Sequence, residues 1–392
     1  MADPTSDPCV AAAHLGMLAT LSMGVLGAMH QFIPVVTNRP LRSVKLGWAT
    51  FATWLIGSWC LPLGIGFKLE HLVEAGGFFA AAAIILLTVN CSPSLQTGNK
   101  SASVIGLRFS LIGFLATACF GVVYVVDRQG NWFDLTGHVV LAHASIGLLG
   151  WLGLTYISVS ERLYPMFLLA HVPGKRLWGL ASIYLVPSGL LLFVPGMLFS
   201  VSVLSWLGGC VIFMGLLAHL ISLGLHLKFK KRKFDLYFLF VITGSVTMVA
   251  GAVMALLSGL VISGNHRLGI MFAATSVVVL GGWILEVFVG HIHKVIPFVL
   301  WSMLREKGIK KNISGTQLMF GDLYNHNIAR ATYILLSIGI GSVAYGFADS
   351  RPAGLAIGGV LFLISGILLS VNFSFKTRQL LKAYNHKEQD IV

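Results

Sequence analysis

The chain has 392 residues, of which 56% are hydrophobic and only 10% charged, with a mean hydropathy of +0.84 and a formal net charge of +13. Soluble globular domains carry about 25% charged residues, so this composition excludes a soluble globule and predicts a polytopic membrane protein. Because the backbone has to satisfy its own hydrogen bonds inside the hydrocarbon, we expect the spans to be α-helices.

The N-terminal sequence MADPTSDPC has acidic residues where a signal peptide would have basic ones, and no clear cleavage site follows it. The apolar run after it is therefore interpreted as a retained first helix. The five cysteines are scattered and form no CxxC motif, so they predict neither a thiolate metal site nor a disulfide framework.

Hydropathy predicts eleven helices. In chain order they cover about 12–36, 44–66, 72–91, 106–126, 137–160, 177–198, 202–226, 236–262, 267–292, 329–348 and 354–375. The segment 293–304 either prolongs the ninth helix or lies at the membrane interface, so the chain has eleven or twelve helices. The residues 376–392 are predicted to form a cytoplasmic tail.

Basic residues are concentrated in every second loop, and the loops between them are near neutral or acidic. This alternation predicts an outer N-terminus and a cytoplasmic C-terminus. It also accounts for the positive net charge through topology and contact with anionic lipid. The basic residues lie in the loops between the predicted spans, so nucleic acid is not expected as a partner. The loop at 305–328 is long enough to dock a protein partner, but no motif in it specifies one.

One sequence pattern occurs three times along the chain: a predicted helix that carries a polar residue four positions before a proline. These pairs are His30 and Pro34, Glu161 and Pro165, and His293 and Pro297. Trp151 and Trp283 both stand fourteen residues before their prolines. A recurring unit of this kind indicates an internal repeat. We therefore expect a single membrane domain, 1–392, built from parallel repeats at about 12–126, 137–262 and 266–375.

The predicted orientation separates the histidines into two layers. The outer layer holds His14, His138, His143 and His266, and the inner layer holds His30, His171, His219, His226, His291 and His293. A histidine at membrane depth is a functional-site candidate, and haem iron or another metal is a partner that would account for several at once. The alternative for each of them is a hydrogen bond to a carbonyl group of a neighbouring helix.

The predicted iron ligands are His14 and His143, on helices that occupy equivalent places in two repeats. Further candidates for cofactor binding are His138, which lies close to water, and the pair His291 and His293, whose side chains point to different sides of one helix. His266 is a further candidate metal ligand.

Glu286 is the one carboxylate well inside a predicted span. It is a candidate proton carrier, and the alternative is a pairing with a nearby histidine or backbone group. No GxGxxG or P-loop pattern occurs in the chain.

The segment AHASIGLLGWLGLTYISVSERLYPMF resembles a helix of haem–copper oxidase subunit I and of the nitric oxide reductases, which opens with histidine and closes on an aromatic residue shortly before proline. The run from His14 through VVTNRPL is similar to a segment of the haem- and copper-containing membrane proteins of the nitric-oxide stress response. Those proteins have a further histidine at the position that Val36 occupies in this chain. In the oxidase superfamily twelve helices form three groups of four. The eleven helices predicted for this chain would match that arrangement with its first helix absent.

On this mapping His14 matches a low-spin haem ligand, and His143 matches a copper ligand or a second haem ligand. The sequence departs from the family at the helix 177–198, which lacks the adjacent copper histidines, and at Thr275, which stands where the second repeat has His143. The resemblance implies a b-type haem, with copper as a further candidate. The two departures speak against a full oxygen-reducing centre.

The resemblance implies redox work, either electron transfer or an oxidoreductase reaction with nitric oxide or oxygen. The expected setting is a respiratory complex in a prokaryotic cytoplasmic (inner) membrane, with other membrane or electron-transfer subunits as partners. Two alternatives stay open. The first is a non-catalytic protein that handles haem, copper or nitric oxide, and the second is a transporter without a cofactor.

Overall fold

The computed structural model describes residues 6–130, 132, 137–173, 177–264, 266–312 and 314–389. Nearly all of these residues are helical, and within the described ranges eleven helices are long and apolar enough to cross a membrane. The protein is therefore a multi-pass helical membrane protein. Many large apolar side chains face outward from these helices, which indicates a lipid bilayer as their surroundings.

The helices are numbered in chain order. They are α1 Asp7–Thr37, α2 Val44–Phe67, α3 Glu70–Leu95, α4 Ala102–Gly130, α5 137–168, α6 Leu177–Leu198, α7 Ser202–Lys228, α8 Leu236–Gly264, α9 His266–Glu306, α10 His326–Ala348 and α11 Pro352–Gln389. Their number and order confirm the eleven predicted spans.

Several helices are longer than predicted. Helix α1 begins at Asp7 instead of 12, α5 continues from 160 to Leu168, and α9 continues from 292 to Glu306. The segment 293–304 therefore prolongs its helix, and α11 likewise extends past 375 to Gln389. Hydropathy identifies the apolar part of a helix and does not detect polar residues that continue its hydrogen bonding. Pro165 and Pro297 did not end their helices, because membrane helices tolerate proline.

Local sequence fixes several of these boundaries. The Ser43 hydroxyl caps α2 by accepting a hydrogen bond from the Leu46 amide, and the Asn325 side chain caps α10 by accepting one from the Asn327 amide at 2.8 Å. Helix α2 ends at Phe67, and the next residue, Lys68, has a left-handed backbone with φ 57°.

The chain forms two compact units. The first unit contains Asp3–Lys233 and Ala255–His266, and the second contains Phe234–Met254 and Arg267–Val392. The expected single domain and the three repeat boundaries stay predictions.

In the first unit α2 packs closely against α3, and α6 against α7, at glycines. A side chain on Gly57 would overlap the backbone of Ala80, and one on Gly76 would overlap the backbone of Leu61. Small residues of this kind let membrane helices approach closely enough for extensive van der Waals contact.

Helices α1 and α5 share an unusual backbone. Residues Leu15–Ser22 of α1 and Ile146–Gly153 of α5 are π-helical, with α-helix on either side. A π-helix bonds each amide to the carbonyl five residues earlier, is rare, and is frequently found at functional sites.

The second unit has two small cores. One is formed by Phe240, Val289, Leu336 and Ile340, which come from α8, α9 and α10. The other lies under the loop between α9 and α10 and is formed by Leu304, Ile309, Leu318 and Leu323, with Leu381 of α11 packed against it. The Trp301 indole also donates to the Leu318 carbonyl at 2.9 Å, so this loop is folded.

Candidate cofactor site

The site begins at His14, where the first α-helical part of α1 ends. Its Nδ1 donates to the Val10 carbonyl, one turn earlier, at 2.8 Å. The proton on Nδ1 leaves Nε2 as the unprotonated nitrogen of the neutral ring, which is the form that binds a metal. A hydrogen bond of this type also fixes the orientation of a ligating imidazole.

The ring of His143 on α5 lies beside the ring of His14. The two ring centroids are 6.4 Å apart and the planes differ by 20°. In the described part of the chain, Nδ1 of His143 is buried without a hydrogen-bond partner. The structure thus brings together the two histidines that the sequence singled out as iron ligands.

The separation of the two rings can be compared with metal coordination. Imidazole nitrogens bind metals at about 2 Å, so two imidazoles on opposite sides of one ion have ring centres roughly 6.3 Å apart. The observed 6.4 Å matches this spacing. Across the described residues there is no group of three or more His, Cys, Asp or Glu side chains that could hold a metal ion. Two donors alone suit an iron whose other four ligands come from a porphyrin better than a bare ion.

Helix α4 closes one side of the histidine pair. The ring of Tyr124 meets His143 edge-on, with centroids 5.4 Å apart, and its hydroxyl donates to the Val139 carbonyl at 2.6 Å. Gly121 stands next to the same imidazole, where a Cβ would lie 3.7 Å from Cε1 of His143. Neither residue was predictable from the sequence, because their proximity to His143 depends on the packing of α4 against α5.

An aromatic cluster lies further along the same helices. Trp151 stacks on Phe114, and the Phe114 ring meets Trp54 edge-on at 5.5 Å. The Trp151 indole donates to the Ser22 hydroxyl at 3.0 Å. Trp151 and Ser22 each stand eight residues after their histidine, so this bond and the histidine pair lie at matching positions on two helices. That common spacing is the sequence signal that could have identified Ser22.

The other predicted ligands do not join this pair. His138 is exposed at the start of α5. The side chain of His266 lies outside the described residues. Both ring nitrogens of His291 are engaged, since Nδ1 donates to the Val287 carbonyl at 2.6 Å and Nε2 accepts from the Tyr237 hydroxyl at 3.1 Å.

His293 is surrounded by aromatic rings of the second unit. Its Nδ1 donates to the Val289 carbonyl, and Nε2, as far as the described residues extend, is buried without a partner. The rings of Phe240, Tyr324 and Phe373 lie within 5.4–5.6 Å of it. Burial, with a smaller effect of nearby Asp235, raises the pKa of the Tyr324 phenol, so this hydroxyl stays protonated beside His293.

Glu286 is fully buried in α9, as the sequence predicts. One carboxyl oxygen accepts a hydrogen bond from Ser337 of α10 at 2.6 Å. The other oxygen is buried and has no hydrogen-bond partner among the described residues. No histidine pairing of this carboxyl is observed within that part of the chain.

A second polar cluster of the first unit was not predicted as a site. The Ser222 hydroxyl donates to Glu161 at 2.7 Å, and Tyr156 and Tyr164 hydrogen-bond to each other through their hydroxyls. His219, 5.3 Å from the Tyr156 ring, is buried with neither ring nitrogen bonded to a described residue. These side chains come from helices α5 and α7, about sixty residues apart, which conceals the cluster in the sequence.

No protein-family model matches the chain, and no curated protein matches it at a significant level.

Proposed function

We propose that this chain is a membrane haem protein of the haem–copper oxidase subunit I type, in which His14 and His143 are the axial ligands of a b-type haem. The observation that carries the proposal is the 6.4 Å separation of the two rings at 20° between their planes, which suits one iron between them. When bound, the haem would supply one-electron redox chemistry at this position.

The roles of the chain's own residues follow from their contacts. The Val10 carbonyl holds the proton of His14 on Nδ1 and so directs Nε2 toward the ligand position. Trp54, Phe114 and Trp151 are buried and keep water from the inner side of the pair. Burial and exclusion of water are among the means by which a protein sets a haem potential.

Electron transfer is the function that this donor set supports best. A haem held by both His14 and His143 would have no coordination position left for a substrate and would supply electron transfer alone. Helix α6 has no histidine, so the copper centre of the oxygen-reducing relatives also lacks its ligands here. We place the protein in a prokaryotic cytoplasmic membrane as part of a respiratory complex with other subunits, and with its N-terminus outside.

The test is purification in mild detergent from haem-replete cells, followed by oxidised and reduced spectra and an iron assay. We expect a low-spin b-type spectrum with haem equimolar to protein. His14→Ala and His143→Ala should each lose that spectrum, whereas the exposed His138→Ala should keep it. Absence of a Soret band and of iron would overturn the proposal and favour the cofactor-free transporter.

A second candidate function, handling of nitric oxide or a similar diatomic gas, is favoured by one difference between the ligands. His14 is anchored by its hydrogen bond to Val10, whereas Nδ1 of His143 is not bonded to any side chain or carbonyl in the described ranges. A ligand without such an anchor is more easily displaced. Carbon monoxide added to the reduced protein distinguishes the two functions, because a shifted Soret band means that a ligand has left, and an unchanged one supports electron transfer.

A further inference from the structure

The two π-helical segments lie directly beyond the two histidines. The segment Leu15–Ser22 starts at the residue after His14, and Ile146–Gly153 starts three residues after His143. A π-helix is wider than an α-helix and displaces the residues that follow it. The position of α1 relative to α5 along the helix axes therefore depends on how these two segments contact each other and their neighbours.

Each π-helical segment has a tryptophan hydrogen bond. The Trp54 indole of α2 donates to the Leu18 carbonyl, in the middle of the first segment, at 3.2 Å. The Trp151 indole, in the second segment, donates to Ser22, the last residue of the first, at 3.0 Å. Both indoles are buried, so neither bond competes with water.

The Ser22–Trp151 bond and the His14–His143 pair are in the same register. Residue numbers differ by 129 in both pairs, so α1 and α5 run parallel and keep one alignment over these eight residues. A slip of one residue would move one histidine by about 1.5 Å along its helix. Metal sites tolerate deviations of about 0.2 Å in ligand distance, so the two ligands need a fixed alignment.

We infer that Ser22 and Trp151 are positioning residues, whose hydrogen bond sets the separation and the relative tilt of the His14 and His143 imidazoles. The inference rests on the proposed function, because His14 and His143 need a fixed alignment only if they bind the same iron. Two contacts of α4 hold Trp151 for this role. Its ring is stacked on Phe114, and Gly113 allows the α4 backbone to lie directly against the π-helical segment at Gly150.

The test removes the bond from each side. Ser22→Ala deletes the acceptor, and Trp151→Phe deletes the donor while it keeps an aromatic ring for Phe114. The matched controls are Ser58→Ala, a buried serine bonded only within its own helix, and Trp283→Phe, a buried tryptophan in the second unit. The readouts are the electron paramagnetic resonance spectrum of the oxidised haem and the rate of haem transfer to an excess of apomyoglobin.

We expect both variants to alter the g-anisotropy of the low-spin signal and to release haem about tenfold faster, the change expected from one hydrogen bond. The double variant should be no worse than the more affected single variant, because both substitutions remove one interaction. The controls should match the wild type. If Trp151→Phe fails to fold, Ser22→Ala alone decides.

The possible failures are distinguishable. A wild-type protein that binds no haem overturns the proposed function and this inference with it. Haem-loaded variants with the spectrum and the transfer rate of the wild type overturn the inference alone. Additive effects in the double variant also overturn it, because they would show that the two side chains act separately.

Discussion

The ring of Trp151 lies flat on the ring of Phe114, with 3.9 Å between the centroids and 3° between the planes. This contact joins α5 to α4, and the Trp151 hydrogen bond to Ser22 joins α5 to α1. One side chain therefore connects three helices at a level eight residues further along α5 than His143. Large aromatic groups of this kind contribute much of the buried area of a core and hold a single packing arrangement.

The near-parallel imidazole planes predict a spectroscopic signature. If the proposed haem is held by His14 and His143, two near-parallel imidazoles would split the iron orbitals unequally, and the oxidised protein should give a rhombic low-spin signal. The 20° angle between the His14 and His143 planes lies close to the parallel limit. The measurement is a low-temperature resonance spectrum of the oxidised protein. A highly anisotropic signal, typical of perpendicular rings, would contradict this geometry.

Close packing of α2 on α3 should be sensitive to a single methyl group. Gly57→Ala and Gly76→Ala both place a Cβ on the backbone of the opposite helix, so the helices have to separate. We expect each substitution to lower the free energy of unfolding by about 1–3 kcal/mol, the usual effect of overpacking. The measurement is denaturant-induced unfolding in detergent.

The matched control is Gly224→Ala in α7, where a Cβ meets nothing within 4 Å. This substitution should be neutral or slightly stabilising, because alanine favours a helix more than glycine does. Equal effects at the three positions would contradict the close approach of α2 and α3.

Glu286 is predicted to matter more for proton movement than for stability. Gln has nearly the same shape and is uncharged, so Glu286→Gln should leave the unfolding temperature close to that of the wild type. If the proposed haem is bound, the proton uptake that accompanies its reduction should be smaller in this variant. The measurement combines thermal unfolding with a pH-indicator dye during reduction. Unchanged proton uptake in Glu286→Gln would contradict the predicted role of Glu286 as a proton carrier.

The partner of Glu286 gives a contrasting variant. Ser337→Ala leaves the carboxyl without its hydrogen bond at 2.6 Å. A buried polar group that loses its partner costs about 1–3 kcal/mol, so this variant should unfold more easily than Glu286→Gln. The reverse order would show that the hydrogen bond contributes little.

Asp349, in the turn between α10 and α11, should make stability depend on acid pH. Hydrogen bonds from the Tyr345 hydroxyl at 3.0 Å and from Arg351 at 2.9 Å hold the pKa of this carboxyl below its ordinary value of 3.8. A depressed pKa means that the stabilisation is present above pH 3.8 and is lost as the pH falls through the lower folded-state value.

The test compares unfolding temperatures of the wild type and Asp349→Asn from pH 6 to pH 2. We expect the two curves to differ above the ordinary pKa and to converge in acid. The effect should be small because the carboxyl is exposed to solvent. Curves that stay apart at the lowest pH would assign the difference to something other than ionisation.

The sequence predicted the number of spans and the His14–His143 pair for separate physical reasons. Hydropathy alone determines which segments cross a bilayer, and the predicted repeat put these histidines on two helices that were expected to be equivalent. The π-helical segments were not predictable, because apolar residues such as those of Leu15–Ser22 are compatible with either hydrogen-bond spacing. The environments of His291 and Glu286 were not predictable either, since Tyr237 and Ser337 belong to helices more than fifty residues away.

The folded loop between α9 and α10 links the end of the chain to the rest of the second unit. Leu381 packs on the small core of Leu304, Ile309, Leu318 and Leu323, beyond the apolar part of α11. A truncation before Leu381 would therefore expose this core to water, although every membrane-spanning residue would remain. The loop should then become a site of proteolytic cleavage, whereas in the untruncated chain its buried leucines should protect it.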